Sequence, residues 1–261
     1  MRYGKMNSLR VMTYNILNGG EHRESYILEV MQATKPDIVI LEEVYTEEFL
    51  KYLSQSLGMS YHFGSGNKKR KVALLSKLPV LIFKSHHPVL PIWRNFIDAQ
   101  IEYAPTKTIR IIGVHPIASL GIAFELWRLW EATYILQHVQ NYRSEPCLIA
   151  GDFNAIALGD KVKTETMPHW LQWIIYLQGN RVYHFSIAKI LAAGFTDCFR
   201  FLNSDSGFTL PPSDPNSRLD YIFVNGKLKD YLKRCWVVKE PASVNQASDH
   251  YPVMAEFFIT E

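Results

Sequence analysis

The chain has 261 residues, 48% of them hydrophobic and 20% charged, the balance of a globular protein rather than a disordered or fibrous one. Its net charge of +3 is compatible with a polyanionic substrate and too small to demand one. Its three cysteines, Cys147, Cys198 and Cys235, stand far apart, which argues against a disulfide framework or a cysteine zinc site and points to a reducing, cytoplasmic setting. Residues 1–8 are polar and lack the apolar core of a secretory signal. No apolar run approaches the roughly 20 residues that span a bilayer.

In chain order, residues 9–14 are a β-rich run that ends at Asn15, followed by a loop at Asn18-Gly19-Gly20. Ser25 can cap a helix with Ile27, Val30, Met31 and Thr34 on one face, closed by Pro36. Residues 37–41 are a continuous apolar strand that ends in Glu42-Glu43. Thr46 with Glu47 and Glu48 opens a second helix, where acids suit the dipole. Its stripe is Phe49, Leu50, Leu53 and Leu57, and Gly58 stops it. Residues 61–63 and 72–76 read as a hairpin around the tip 64–71.

Residues 95–103 alternate, with Ile97, Ala99, Ile101 and Tyr103 against Asp98, Gln100 and Glu102, as in a half-exposed antiparallel strand. A more buried strand, 108–114, ends at His115. A helix over 122–141 is expected to turn Leu126, Leu129, Thr133 and Leu136 inward. Residues 147–150 form a short buried strand. Gly151 then turns the backbone, and Asp152 and Asn154, two apart, share one face if the chain stays extended.

Residues 159–185 read as irregular and rich in Trp, Tyr and His, and 186–193 as a short helix. Residues 219–224 form a strand, turned at Asn225-Gly226 so that 234–239 pairs back. Ser248-Asp249-His250 precedes a last strand, 253–259. The halves rhyme, each placing a polar tip after a strand. One domain over 1–261, of two packed sheets with outer helices, is the economical architecture.

Asn15, Glu43, His115, Asp152, Asn154, Asp220 and Asp249-His250 all fall at the ends of apolar strands. Several carboxylates meeting on one side repel one another and need a neutralising partner. Oxygen ligands without a Cys or His cluster favour a hard cation, Mg²⁺ or Mn²⁺. Magnesium commonly shares its shell between one or two carboxylates, waters and a substrate phosphate, so the set implies phosphoryl chemistry.

The motifs "TYN" at 13–15, "PDIVILEEV" at 36–44, "GVH" at 113–115, "GDFNA" at 151–155, "RLDYIFV" at 218–224 and "SDH" at 248–250 resemble the endonuclease/exonuclease/phosphatase superfamily. That group includes DNase I-like nucleases, exonuclease III-type abasic-site endonucleases, sphingomyelinases and inositol phosphatases. The resemblance implies a four-layer α/β/β/α sandwich of two mainly antiparallel sheets with outer helices. It implies a divalent-metal-dependent phosphodiesterase, first of all a DNA nuclease. The alternatives are an enzyme of lipid, inositol or other small phosphoesters, or a catalytically silent binding module.

It further implies that Glu43 holds the metal, supported by Asp249, with Asn15 beside metal and phosphate. Asp152 orients or deprotonates the attacking water and Asn154 helps hold it. His250, its tautomer fixed by Asp220, faces the phosphate, as does His115. Three positions depart from the family pattern. Glu42 stands where Gln usually precedes the metal Glu, Leu17 where abasic-site endonucleases carry Asp, and His115 where they tend to carry Tyr.

Two segments stay open. Lys68, Lys69, Arg70 and Lys71 are either a phosphate-binding tip or a solvated hairpin end. Trp170, Trp173 and Arg181 either stack a base or sugar or belong to a lid packed on the body. Arg128 and Arg218 are candidate phosphate contacts.

Overall fold

The computed structural model describes residues 8–65, 71–86 and 95–258. The strands are β1 (Leu9–Asn15), β2 (Ile38–Val44), β3 (Ser60–Phe63), β4 (Lys71–Ser76), β5 (Val80–His86) and β6 (Phe96–Ala104). They continue with β7 (Lys107–Val114), β8 (Cys147–Asp152), β9 (Thr196–Asp197), β10 (Asp220–Val224), β11 (Leu232–Val237) and β12 (Val253–Phe257). The main helices are α1 (Glu24–Thr34), α2 (Glu47–Leu57), α3 (Ile122–Val139), α4 (His169–Leu177), α5 (Phe185–Ala192) and α6 (Cys198–Leu202).

The strands make two six-stranded sheets, ordered β11-β12-β1-β2-β4-β3 and β5-β6-β7-β8-β10-β9. Each contains one parallel pair at its centre, β1 with β2 and β7 with β8, and is otherwise antiparallel. The rhyme between the halves is therefore a rhyme of sheet topology. An inner core joins the sheets through residues such as Val11, Ile40, Leu74, Ile111, Ala150 and Ile222. Outer cores bury the opposite faces under α1 and α2 on one side and under α3 and α5 on the other. This is the four-layer sandwich, and its strands alternate as the two-residue period requires. At Gly113 the sheets approach closely. A Cβ there would lie 2.7 Å from Ile97 and 2.9 Å from Ile40 of the facing sheet.

The same alternation locates the site. Inner-facing residues run Leu9, Val11, Thr13, Asn15 in β1 and Ile38, Ile40, Glu42 in β2. They run Ile109, Ile111, Gly113 and then His115 along β7, and Leu148, Ala150, Asp152 in β8. The parallel pairs end at the same edge, and β10, antiparallel to β8, begins there with Asp220 opposite Asp152. Each stripe starts apolar and turns polar toward its end. The site is the place where the inter-sheet core stops.

Several expectations are corrected. Helix α1 starts two residues earlier than a Ser25 cap allows, after Arg23, with no side-chain cap. Thr46 does cap α2, its hydroxyl accepting the Phe49 N–H at 3.3 Å. Edge strand β5 lies in a stretch that carried no assignment. Asp98 is not on a solvent face, being 1% exposed under the C-terminal end of α3, with Arg110 at 3.1 Å and His138 at 2.8 Å. The Arg110 guanidinium and the His138 hydrogen bond offset the cost of burying that carboxylate.

Helix α3 is turned from its expected phase. Leu126 is exposed, whereas Glu125, Arg128 and Glu131 point inward beside Ala132, Ile135 and Val139. The stretch read as irregular contains α4. Asn225 does not turn a hairpin. Its side chain binds the Cys147 N–H and the Glu145 carbonyl, a helical turn Gly226–Lys229 follows, and β11 joins the other sheet.

Candidate active site

Asp152 sits at the centre, 1% exposed. The strand delivers it through Gly151, at φ +155°, where a Cβ would fall 1.8 Å from the Val114 carbonyl. One carboxylate oxygen accepts the Asn154 N–H at 2.9 Å and the other the Asn15 amide at 3.0 Å. His115 Nε2 and His250 Nε2 stand 3.7 and 3.9 Å from that second oxygen. His250 Nδ1 donates to Asp220 at 2.9 Å, which leaves Nε2 directed toward Asp152.

Glu43 and Asn154 both adopt left-handed backbone, φ 62° and 50°, a conformation that few L-residues take without a compensating reason. At Glu43 it accompanies a break in register between Leu41 and Val44, which lifts the side chain out of the strand's alternation. The Asn18 N–H then holds Glu43 Oε2 at 2.8 Å, with Oε1 3.9 Å from His115. The Ser248 hydroxyl donates to the Asn15 carbonyl at 2.6 Å and receives the His250 N–H at 3.2 Å, pinning the Ser248-Asp249-His250 turn to the end of β1.

Burial, with the negative charge of Asp220, pushes the Asp152 carboxyl up to about 7 against the pull of His250, Asn154 and Asn15. Burial alone would lower His250, but Asp220, Asp152 and Asp249 outweigh it and raise the imidazole to about 10. Beneath them Glu42 is fully buried. It accepts the Thr13 hydroxyl at 2.6 Å, and burial holds it well above the ordinary carboxylate range despite that bond. The extra acid at position 42 is thus an inter-sheet residue below the site and not on its surface.

The donor set suits a hard cation. Among the described residues no Lys or Arg pairs with Glu43, Asp152, Asp220 or Asp249. Asp220 Oδ1 is buried without a hydrogen-bond partner, and Asp152, Asp220 and His250 bring ligand atoms within 4.8 Å of one another. Clustered oxygen donors beside two imidazoles, with no Lys or Arg among them, are the chemistry of a divalent-cation site.

A model of the Endonuclease/Exonuclease/phosphatase family matches residues 12–250, nearly the whole chain. The protein belongs to this family. Membership carries the reaction class, hydrolysis of phosphoesters. Exodeoxyribonuclease III of Haemophilus influenzae is 25% identical over 276 residues, covering 95% of this chain and 100% of the relative. An AP endonuclease from Archaeoglobus fulgidus superposes with TM-score 0.76 at 19% identity, over 96% of this chain and 100% of that one. The human Nocturnin catalytic domain, solved with bound sulfate, gives 0.70 at 21%, over 97% and 94%. At such identities the two structures establish the shared fold.

The remaining candidates divide. Trp170 and Arg181 line a cleft of about 760 Å³ together with Asn154 and Asp249. Trp173 lies outside that cleft, beside Tyr176 on α4. Arg218 is a correction. It is 1% exposed, bound to Asp197 at 3.0 and 2.6 Å and to Asp160 at 2.8 Å, and packed on Tyr221. Its fork is saturated, and it braces the start of β10 rather than meeting phosphate. Arg128 is likewise buried, binding Glu125 and the Ile117 and Ser119 carbonyls. Lys71 lies over the Phe63 ring at 4.2 Å. Lys68, Lys69 and Arg70 lie outside the described residues. Ser248, Thr13 and Asn18 had been given no role of their own, because nothing in a sequence marks which hydroxyl or N–H will meet a distant strand end.

Proposed function

We propose that the protein is a divalent-metal-dependent phosphodiesterase that cleaves DNA by in-line attack of water. The observation that carries this reading is the buried array of Asp152, Asp220 and His250 facing Glu43 and Asn15 across the end of the sandwich. The match to an exodeoxyribonuclease along almost the whole chain supports DNA as substrate.

Glu43, with Asp249 and Asn15, would hold Mg²⁺ or Mn²⁺, which when bound supplies charge stabilisation at the phosphoryl oxygens. Asp152 takes the proton from the attacking water, and its raised affinity for protons suits a general base working near neutral pH. Asn154, fixed by its N–H on Asp152 and its amide on the Pro116 carbonyl at 3.2 Å, bounds the water's position. His250, kept protonated by Asp220, donates to a phosphate oxygen as charge builds there. His115 offers a second imidazole to the same group.

A lipid or other small phosphoester is the second reading. Apolar residues in the cleft wall, among them Met167, Trp170, Leu210 and Pro211, favour a substrate with an apolar part. A panel of supercoiled plasmid, abasic duplex, single-stranded DNA, RNA, sphingomyelin and inositol phosphates, each assayed with Mg²⁺, Mn²⁺ and chelator, separates the two. Plasmid or duplex cleavage that chelator abolishes is expected. Cleavage of phospholipid alone, or any cleavage indifferent to chelator, refutes the proposal.

A further inference from the structure

The first half of helix α3 is built inside out, its second half burying Ala132, Ile135, Leu136 and Val139 in the ordinary way. Its formal charges, Glu125, Arg128 and Glu131, are all buried, while Ile122, Leu126 and Trp130, spaced four apart, are 44%, 51% and 40% exposed. A helix facing water places its charges outward. This outer stripe begins where α4 ends, since the Ile122 N–H binds the Gln178 side chain at 2.8 Å. Helix α4 continues the same character, with Trp170, Trp173, Tyr176 and Leu177 59–76% exposed and the Trp173 and Tyr176 rings in edge contact at 5.9 Å. Scattered apolar residues are ordinary on a protein surface, but seven large ones on two helices that meet at Ile122 and Gln178 mark a contact surface.

We propose that this face, α4 with the outer stripe of α3, docks the protein on an anionic phospholipid bilayer. Three observations select a bilayer. The exposed groups combine Trp and Tyr, whose amphipathic rings settle at the headgroup level, with aliphatic Leu and Ile, which cannot stack on nucleic-acid bases. Residues 166–196 contain no Asp or Glu, and Glu165, exposed beside Trp173 and Tyr176, is outnumbered by the basic side chains nearby. Lys161, Lys163, Arg181 and Lys189 are exposed around it and form no ion pair with a described residue, the charge complement of such a surface. The arrangement also points the active site toward the lipid. Trp170 belongs both to the exposed face and to the wall of the cleft that holds Asn154 and Asp249. The docking stands whichever phosphoester is hydrolysed.

The test is flotation of the full-length protein with extruded vesicles of phosphatidylcholine, with and without phosphatidylserine, in the presence of chelator so that turnover plays no part. The wild type is expected to float with phosphatidylserine vesicles, to release them as salt rises, and to bind pure phosphatidylcholine more weakly. Trp173→Ser/Leu177→Ser on α4 and, separately, Leu126→Ser on α3 should each keep the native circular dichroism and thermal transition. Each lost side chain should weaken partitioning about tenfold. Wild type that floats with neither vesicle overturns the proposal, as does binding equal on both lipids or unchanged in the variants. So does sedimentation showing a dimer in solution that the same substitutions dissociate, which would assign the face to a second copy of the chain.

Discussion

Replacing Asp152 by Asn should abolish most activity and at the same time stabilise the metal-free protein. The carboxyl is held at about 7 against an ordinary 3.8. An acid whose proton affinity rises on folding makes the native state bind more protons than the unfolded one. Stability is then present at low pH and is lost as pH climbs from the unfolded value through the folded one. The gap corresponds to about 4 kcal/mol at full ionisation.

Asn carries no charge to desolvate and is free of this loss. Its Oδ1 can still accept the Asn154 N–H, but its amide faces the Asn15 amide donor that now binds the carboxylate at 3.0 Å. That mismatch costs about 1–2 kcal/mol, leaving a net gain of about 2–3 kcal/mol. At roughly 2–4 °C per kcal/mol for a chain of this size, the transition should rise by about 5–10 °C. Thermal unfolding of both proteins with chelator, from pH 4 to pH 8, measures it. The variant should melt slightly below wild type at pH 4, where only the amide mismatch acts, cross it as pH rises, and lie above it from about pH 7. Turnover should fall by about 10²–10⁴, the scale of losing a general base. A variant no more stable than wild type at pH 8, or a difference that does not grow with pH, refutes the account of Asp152 as a buried, charge-strained base.

His250→Ala should cut kcat by about 10²–10⁴ with a smaller change in KM, because the imidazolium acts on charge that develops in the transition state; an unchanged kcat removes it from that role. Arg218→Met leaves Asp197 buried without a cation and Asp160 with only Arg200, so urea unfolding should show a loss of about 3–5 kcal/mol; a large rise in KM without loss of stability would instead restore Arg218 as a phosphate contact. If DNA is the substrate, neutralising Lys68, Lys69, Arg70 and Lys71 together should flatten the dependence of log Kd on log salt by up to about four ions' worth; an unaltered slope assigns that tip to solvent.

The strands and the polar tips were legible in the sequence for one physical reason. A strand buried on its inner face must be apolar at every second residue, so a polar residue breaking that rule at the strand's end is visible in one dimension. Asn15, Glu42, His115, Asp152 and Asp220 each break it, and each lies at the same edge of the sandwich. Helix α2 was equally legible, because its stripe and its Thr46 cap are local.

Sequence could not decide which sheet a strand joins. Strand β11 follows β10 by a short connection, yet pairs with β12 in the opposite sheet, since pairing depends on which edge remains open after the core has formed. Nor could it give the inward turn of the α3 charges, which is favourable only because Glu125 meets the Ser186 N–H and hydroxyl at 2.8 Å and Arg128 meets the carbonyls of 117 and 119. Local pattern reports what a residue costs to bury. Only the tertiary structure supplies the partners that offset that cost, and with them the face of α3 left to meet another surface.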